Sequence, residues 1–264
     1  MSGMTAESVG PRTTSRIRGR DLWPAGLAVA GGLAAWEAAV ALTATPAWLL
    51  PAPSTILVAS VEARDLLLRH SAVTLLEALL GFAAALTLGL VLAVAMALSP
   101  AVERALYPLV IASQAINPLA VAPLLLIWLG YGLEPKIVIV VLVCFFPIVV
   151  NTIDGLRAVD PEYVRLLRSL GAGRWQALRL VRLPAALPFL LSGAKVAVAV
   201  SVIGAVIGEW VGASAGLGYF MIRSAASLQT ARVFAAVVIT ALLGLALFGL
   251  AALVEARLLP WRRS

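Results

Sequence analysis

The chain has 264 residues, of which 62% are hydrophobic and 12% charged, with a mean hydropathy of +1.01 and a net charge of +7. Soluble domains carry about 25% charged residues, so this composition excludes a soluble core and indicates a helical integral membrane protein. The basic residues flank apolar runs instead of forming one face, which argues against nucleic acid. The single cysteine, Cys144, and single histidine, His70, exclude a disulfide framework and a Cys/His metal site.

Residues 1–21 form a polar tail carrying Arg12, Arg16, Arg18 and Arg20. Leu22 to Ala44 is long enough to cross a hydrocarbon core about 30 Å thick. It exceeds a signal-peptide h-region and leads into further spans, so an uncleaved first helix is expected. Glu37 within it must face protein or an interface rather than lipid. Three prolines in Thr45–Ser54 end that helix, and Thr55–His70 reads as an interfacial helix.

Span two is expected over Ser71–Leu98, containing Glu77, and a short polar turn over Ser99–Arg104. Span three, Ala105–Leu129, contains Pro108, Pro118 and Pro123 and must be bent or broken. Span four covers Lys136–Ile153, span five Pro184–Trp210 and span six Val233–Glu255. A Gly/Ser/Ala-rich excursion over Val211–Arg232 tucks partly back. The domain division is therefore a tail at 1–21, a first helix with its interfacial segment at 22–69, a transmembrane domain at 70–258 and a tail at 259–264.

An even number of spans puts both termini on one side. With the amino terminus cytoplasmic, fourteen of the Lys and Arg residues fall inside and five outside, so the positive-inside rule places both termini in the cytoplasm. Trp23, Trp48, Trp128, Trp210 and Trp261 then fall near span ends, where interfacial aromatics collect.

The segment Asp160–Pro184 then lies in the cytoplasm and holds Arg165, Arg168, Arg174, Arg179 and Arg182. Asp160-Pro161 is an N-cap followed by proline at the first helical position. Tyr163, Leu166, Leu167 and Leu170 make one apolar stripe, which Gly171 and Gly173 terminate. A second short helix with the stripe Trp175, Leu178 and Val181 is expected to run to Pro184. The pair forms a compact knob with arginines on its outer faces. Composition alone leaves a second reading open, a helix pair lying on anionic headgroups.

Arg165–Pro184 resembles the cytoplasmic motif of binding-protein-dependent ABC importer permeases. That motif reads Glu-Ala-Ala, three residues, Gly, nine residues, a hydrophobic, one residue and Leu-Pro. Gly171, Val181 and Leu183-Pro184 keep its spacing, whereas Arg165-Leu166-Leu167 replaces the opening triplet. Leu49–Ser60, Asn117–Gly132, Phe145–Tyr163 and Gly208–Met221 are similar to the subfamily moving small organic solutes. Its members include permeases for aliphatic sulfonates, taurine, nitrate, and pyrimidine or flavin vitamin precursors. The resemblance covers residues 45–264, and Thr74–Phe82 leans towards the pyrimidine-precursor and riboflavin permeases.

The resemblance implies an all-α integral membrane protein with six transmembrane helices and a type I (MetI-like) importer core. It implies a homodimer, two ATPase subunits below and an extracytoplasmic solute-binding protein above. ATP and Mg would sit on the ATPase, with no cofactor or metal on this chain and no catalytic residue. The ATPase-coupling interface would comprise Arg165, Leu166, Leu167, Leu170, Gly171, Ala172, Trp175 and Pro184. A bulky residue at Gly171 is expected to break its turn and abolish ATP-driven uptake.

Glu77, Glu209 and Lys195 are ionisable groups at membrane depth and hence functional candidates. An interfacial, solvated Glu209 and a structural Lys195 salt bridge remain alternatives. Gln114, Asn117, Asn151 and the pair Phe145-Phe146 are candidates to line a translocation route. Gly204, Gly208 and Gly212 recur at small-xxx-small spacing, for a dimer seam or for packing within the chain.

Two other functions compete with this reading. An ion-coupled secondary transporter requires inverted repeats and paired midplane carboxylates, and neither is clear. Gly212–Gly216 spells G-x-S-x-G, but an intramembrane serine protease needs a histidine beside Ser214, and only His70 exists. No G-x-x-x-x-G-K-[ST] loop occurs, so the chain has no P-loop for nucleotide.

Overall fold

The computed structural model describes residues 23–260, in which every regular element is a helix. The helices are α1 (Trp23–Thr43), α2 (Pro53–Glu62), α3 (Arg64–Leu98), α4 (Pro100–Ser113), α5 (Pro118–Leu129), α6 (Glu134–Arg157), α7 (Pro161–Ser169), α8 (Arg174–Ala177), α9 (Leu183–Trp210), α10 (Leu217–Ala226) and α11 (Thr230–Leu258). The expected tails, with Arg12, Arg16, Arg18, Arg20, Trp261, Arg262 and Arg263, lie outside the described residues, as does Leu22. Five helical stretches are long and apolar enough to cross a membrane, namely α1, α3, α6, α8 through α9, and α11. The α4–α5 pair makes a sixth, bent by 103° at residues 114–117.

That bend is the break expected in span three. Asn117 closes it as the N-cap of α5, its side-chain oxygen accepting from Leu119 N–H at 3.0 Å, with Pro118 at the first helical position.

Three boundaries differ from expectation. The interfacial helix and span two do not meet at His70: α3 runs unbroken for 35 residues, and the chain breaks instead at Ala63. Nothing at His70-Ser71 stops a helix, since neither residue is Gly or Pro. The polar turn before span three is confined to Ser99, whose hydroxyl caps α4 at Val102 N–H, and Glu103 and Arg104 lie within that helix.

The third difference concerns Pro184. No separate second helix precedes it: residues 174–210 form one 37-residue helical stretch. It passes through a π turn at Leu178–Arg182. Proline removes an i→i−4 hydrogen bond and crowds the preceding turn. A widened turn absorbs that fault without breaking the helix. At 1.5 Å per residue the stretch is about 56 Å long, well beyond a hydrocarbon core of about 30 Å. One end of it therefore projects and carries the arginine-rich segment.

The bundle centres on α6, packed between α9 and α3. In lipid, close van der Waals packing at small residues replaces hydrophobic collapse as the main association force. A Cβ on Gly204 would stand 3.1 Å from Val140 Cα, and one on Gly208 3.1 Å from Lys136 Cα. These two glycines therefore seat α9 on α6 within one chain. Gly212 lies beyond the end of α9 and faces Leu126 and Tyr131. The glycine repeat is thus used for packing within the chain, and a dimer seam is not needed to explain it. Ala78, Ala85, Val140, Cys144 and Ala197 fill the adjoining core.

The first helix lies at the periphery. Its Glu37 accepts from Ser54 N–H at 3.0 Å and from Ser54 Oγ at 2.7 Å, anchoring the start of α2. The carboxylate thus faces protein, as a charged group within a span must.

Candidate functional site

The arginine-rich segment begins as its sequence dictates. Asp160 accepts from Glu162 N–H at 2.8 Å, with Pro161 next in the chain. Helix α7 ends in a Schellman motif, in which Ala172 N–H reaches Leu167 C=O and Gly171 N–H reaches Arg168 C=O, both at 3.0 Å. Gly171 has φ +85° and open space around its Cα hydrogens. Its requirement is therefore backbone conformation, not close packing.

The faces of α7 are arranged opposite to expectation. Pro161, Val164, Arg165 and Arg168 share the inner face, where Val164 is buried and the two arginines line a cavity. The stripe points away, with Tyr163 62%, Leu166 58% and Leu170 76% exposed. Leu167 is half-buried, and Trp175 beyond the turn is exposed. Apolar stripes in soluble proteins cover their own core, so the sequence alone suggests the reverse. This stripe is unpartnered in the single chain, and an exposed apolar patch of this kind marks an interaction site. Arg165 makes only a loose ion pair, 3.8 Å from Glu162. Pro184 lies just past the π turn and is exposed.

At the opposite end of the bundle four elements meet around buried charge. Glu77 of α3 is 2% exposed and takes Lys136 Nζ of α6 at 2.6 Å. Glu209 of α9 is 1% exposed and lies against Glu77. It accepts from Thr74 Oγ1 at 2.6 Å and Gly218 N–H at 2.5 Å. Leu217 N–H donates to Thr74 Oγ1 at 2.8 Å, and Gly216 N–H to His70 Nδ1 at 3.0 Å.

Three successive backbone donors at the start of α10 are thus satisfied by α3 and α9 side chains. Helix N-termini otherwise leave such donors orphaned, and a carboxylate there also complements the helix dipole. Gly216, at φ +113°, is required because a Cβ would overlap the Glu209 carboxylate. Glu209 is therefore buried and structural in its contacts, not solvated at an interface. Glu77 Oε2 is buried without a hydrogen-bond partner among the described residues. The sequence singles out the two carboxylates but not Thr74 and Lys136, because a lysine opening span four reads as one more basic residue at the outer end of a span.

The other candidates separate. Lys195 pairs with Glu255 of α11 and sits 5.7 Å from the Phe248 ring centroid. This is the structural salt bridge considered above. Replacing Lys195 alone by Met should destabilise the protein by about 3 kcal/mol, whereas Lys195→Met with Glu255→Met should be near neutral. Thermal unfolding of both variants in detergent distinguishes the two. Phe145 and Phe146 pack against the cluster of Ala93, Met96 and Val149. Asn151 donates to Pro147 C=O at 2.7 Å within its own helix.

Gln114 is exposed at the α4–α5 bend. Asn117 opens into an apolar hollow of about 810 Å³ between α5, α9, α10 and α11, which Ile203, Trp210, Leu245 and Phe248 also line. Ser214 is exposed and makes no hydrogen bond to His70 among the described residues, whose Nδ1 is already occupied by Gly216.

Residues 85–260 match the family described as binding-protein-dependent transport system inner membrane component. The chain is 39% identical over 230 residues to the formylaminopyrimidine transport permease protein ThiX of Halalkalibacterium halodurans, covering 87% of this chain and 92% of that one. It is 38% identical over 260 residues to the riboflavin transport system permease protein RibX of Chloroflexus aurantiacus, covering 96% and 97%. Among solved structures, an inward-facing form of the MetNI methionine ABC transporter superposes with a TM-score of 0.60. It does so at 20% identity, covering 73% of this chain and 98% of that one.

Proposed function

Because the chain belongs to the family of binding-protein-dependent transport system inner membrane components, we propose that it is the permease subunit of an ATP-driven importer whose separate ATPase docks on α7. The observation carrying this reading is the unpartnered stripe of Tyr163, Leu166 and Leu170, held on a capped, glycine-terminated helix at the end of a 37-residue stretch. A rigid knob of this kind transmits motion of a docked partner to the bundle. Fourteen basic residues against five favour a cytoplasmic position for it and for both termini.

The solute is proposed to be a small nitrogen heterocycle of the pyrimidine-precursor or flavin type, delivered by an extracytoplasmic binding protein. The names of the two relatives support this reading. The route runs beside Asn117, along the apolar hollow of α5, α9 and α11, which a second copy of the chain closes.

The test is reconstitution in liposomes with a cognate ATPase and binding protein. Uptake of labelled formylaminopyrimidine or riboflavin should require ATP. Uptake driven by an ion gradient without the ATPase would instead identify a secondary transporter.

A further inference from the structure

Behind α7, on the face opposite its apolar stripe, lies a cavity of about 560 Å³. The ends of α3, α4 and α6 form one wall, and α7, α8 and the π turn form the other. Its floor is apolar, with Leu98, Leu156, Val164 and Leu178. Its rim holds Arg157, Arg165, Arg168, Arg174 and Arg182, and the one carboxylate lining it is Glu103. That carboxylate is already engaged by Arg157, whose Nε lies 3.0 Å away. Arg168, Arg174 and Arg182 have no ion pair among the described residues.

Guanidinium groups gathered around one hollow repel one another unless an anion joins them. Their planar donor forks match the oxygens of a phosphate. We propose that this cavity binds the phosphate-bearing headgroup of an anionic phospholipid, with its glycerol and upper acyl region on the apolar floor. Two observations favour a lipid over soluble phosphate. The cavity sits where the apolar α3 ends at Leu98 and α6 ends at Arg157, the level of headgroups if these helices span the bilayer. Its apolar floor also has no use for a free ion. Basic pockets between span ends are the form that headgroup sites take.

A bound lipid would brace α7 against the span ends from behind while the stripe stays free. The inference needs only membrane insertion, not ATPase docking, so either assignment can fail without the other.

The experiment uses the full chain in detergent, titrated with short-chain phosphatidylglycerol, phosphatidylcholine and inorganic phosphate, with bound molecules counted by native mass spectrometry. Phosphatidylglycerol should be retained in preference to phosphatidylcholine. Arg168→Gln with Arg182→Gln should weaken its binding roughly thirtyfold, and Arg257→Gln, outside the cavity, should leave it unchanged. Equal retention of the two lipids, an undiminished preference in the double variant, or an equal loss in Arg257→Gln would overturn the proposal. Displacement of the lipid by inorganic phosphate at equal concentration would overturn the lipid assignment in favour of a soluble phosphate.

Discussion

Lys136→Met is expected to destabilise the permease by about 3–5 kcal/mol, the cost of removing one partner from a buried ion pair. Against a total stability of about 5–15 kcal/mol, that should abolish function in cells and depress the thermal midpoint sharply in detergent. The reason lies in the charge balance of the site. Two carboxylates, Glu77 and Glu209, lie together at 2% and 1% exposure, and Lys136 is the cation beside them, bonded to Glu77. Without it, Glu77 loses its ion pair while its other oxygen already has no hydrogen-bond partner among the described residues. Glu209 must still cap α10 through Gly218. Pairing Lys136→Met with Glu77→Leu removes both members, and most of the lost stability should return. Equal melting temperatures for the single and double variants would show that the pair does not carry the effect.

The second large effect is expected on the far side of the bundle. Leu166→Asp with Leu170→Asp places two charges on an apolar surface that, in this account, a partner buries. Interface anchors contribute about 2 kcal/mol or more each. The pair should therefore weaken ATPase association by roughly a thousandfold and abolish ATP-driven uptake. Folding should be spared, since both side chains are exposed in the isolated chain. Thermal unfolding of the purified permease should match the parent while uptake is lost. Gly171→Val should act more mildly, because the site has room and the burden is the left-handed backbone, about 1–2 kcal/mol.

Much of this was legible in the residues. The cap at Asp160-Pro161, the glycine stop at Gly171 and the broken span before Asn117 each rest on local chemistry, and local chemistry is what a sequence displays. The direction of the α7 stripe was not legible, because periodicity identifies a face but not what covers it. Nor was the π turn, since Pro184 reads equally well as a helix start. The break at Ala63 carries no local signal, alanine being the strongest helix former. In the buried cluster, Glu77 and Glu209 stood out as charges in apolar runs. Their partners did not, because Lys136 and Thr74 are brought to them only by the packing of α6 and α3 against α9.

The docking role of α7 is tested most directly by cross-linking. Cys144 is fully buried and leaves the native chain without an accessible thiol. Leu170→Cys supplies one on the stripe, and Leu228→Cys one at the opposite end of the bundle, where Leu228 is exposed. With the cognate ATPase present and a short thiol–amine cross-linker added, Leu170→Cys should yield an adduct of the combined mass, and Leu228→Cys should not. An adduct from Leu228→Cys alone, or none from Leu170→Cys in an assembled complex, would contradict the assignment of α7 as the ATPase dock.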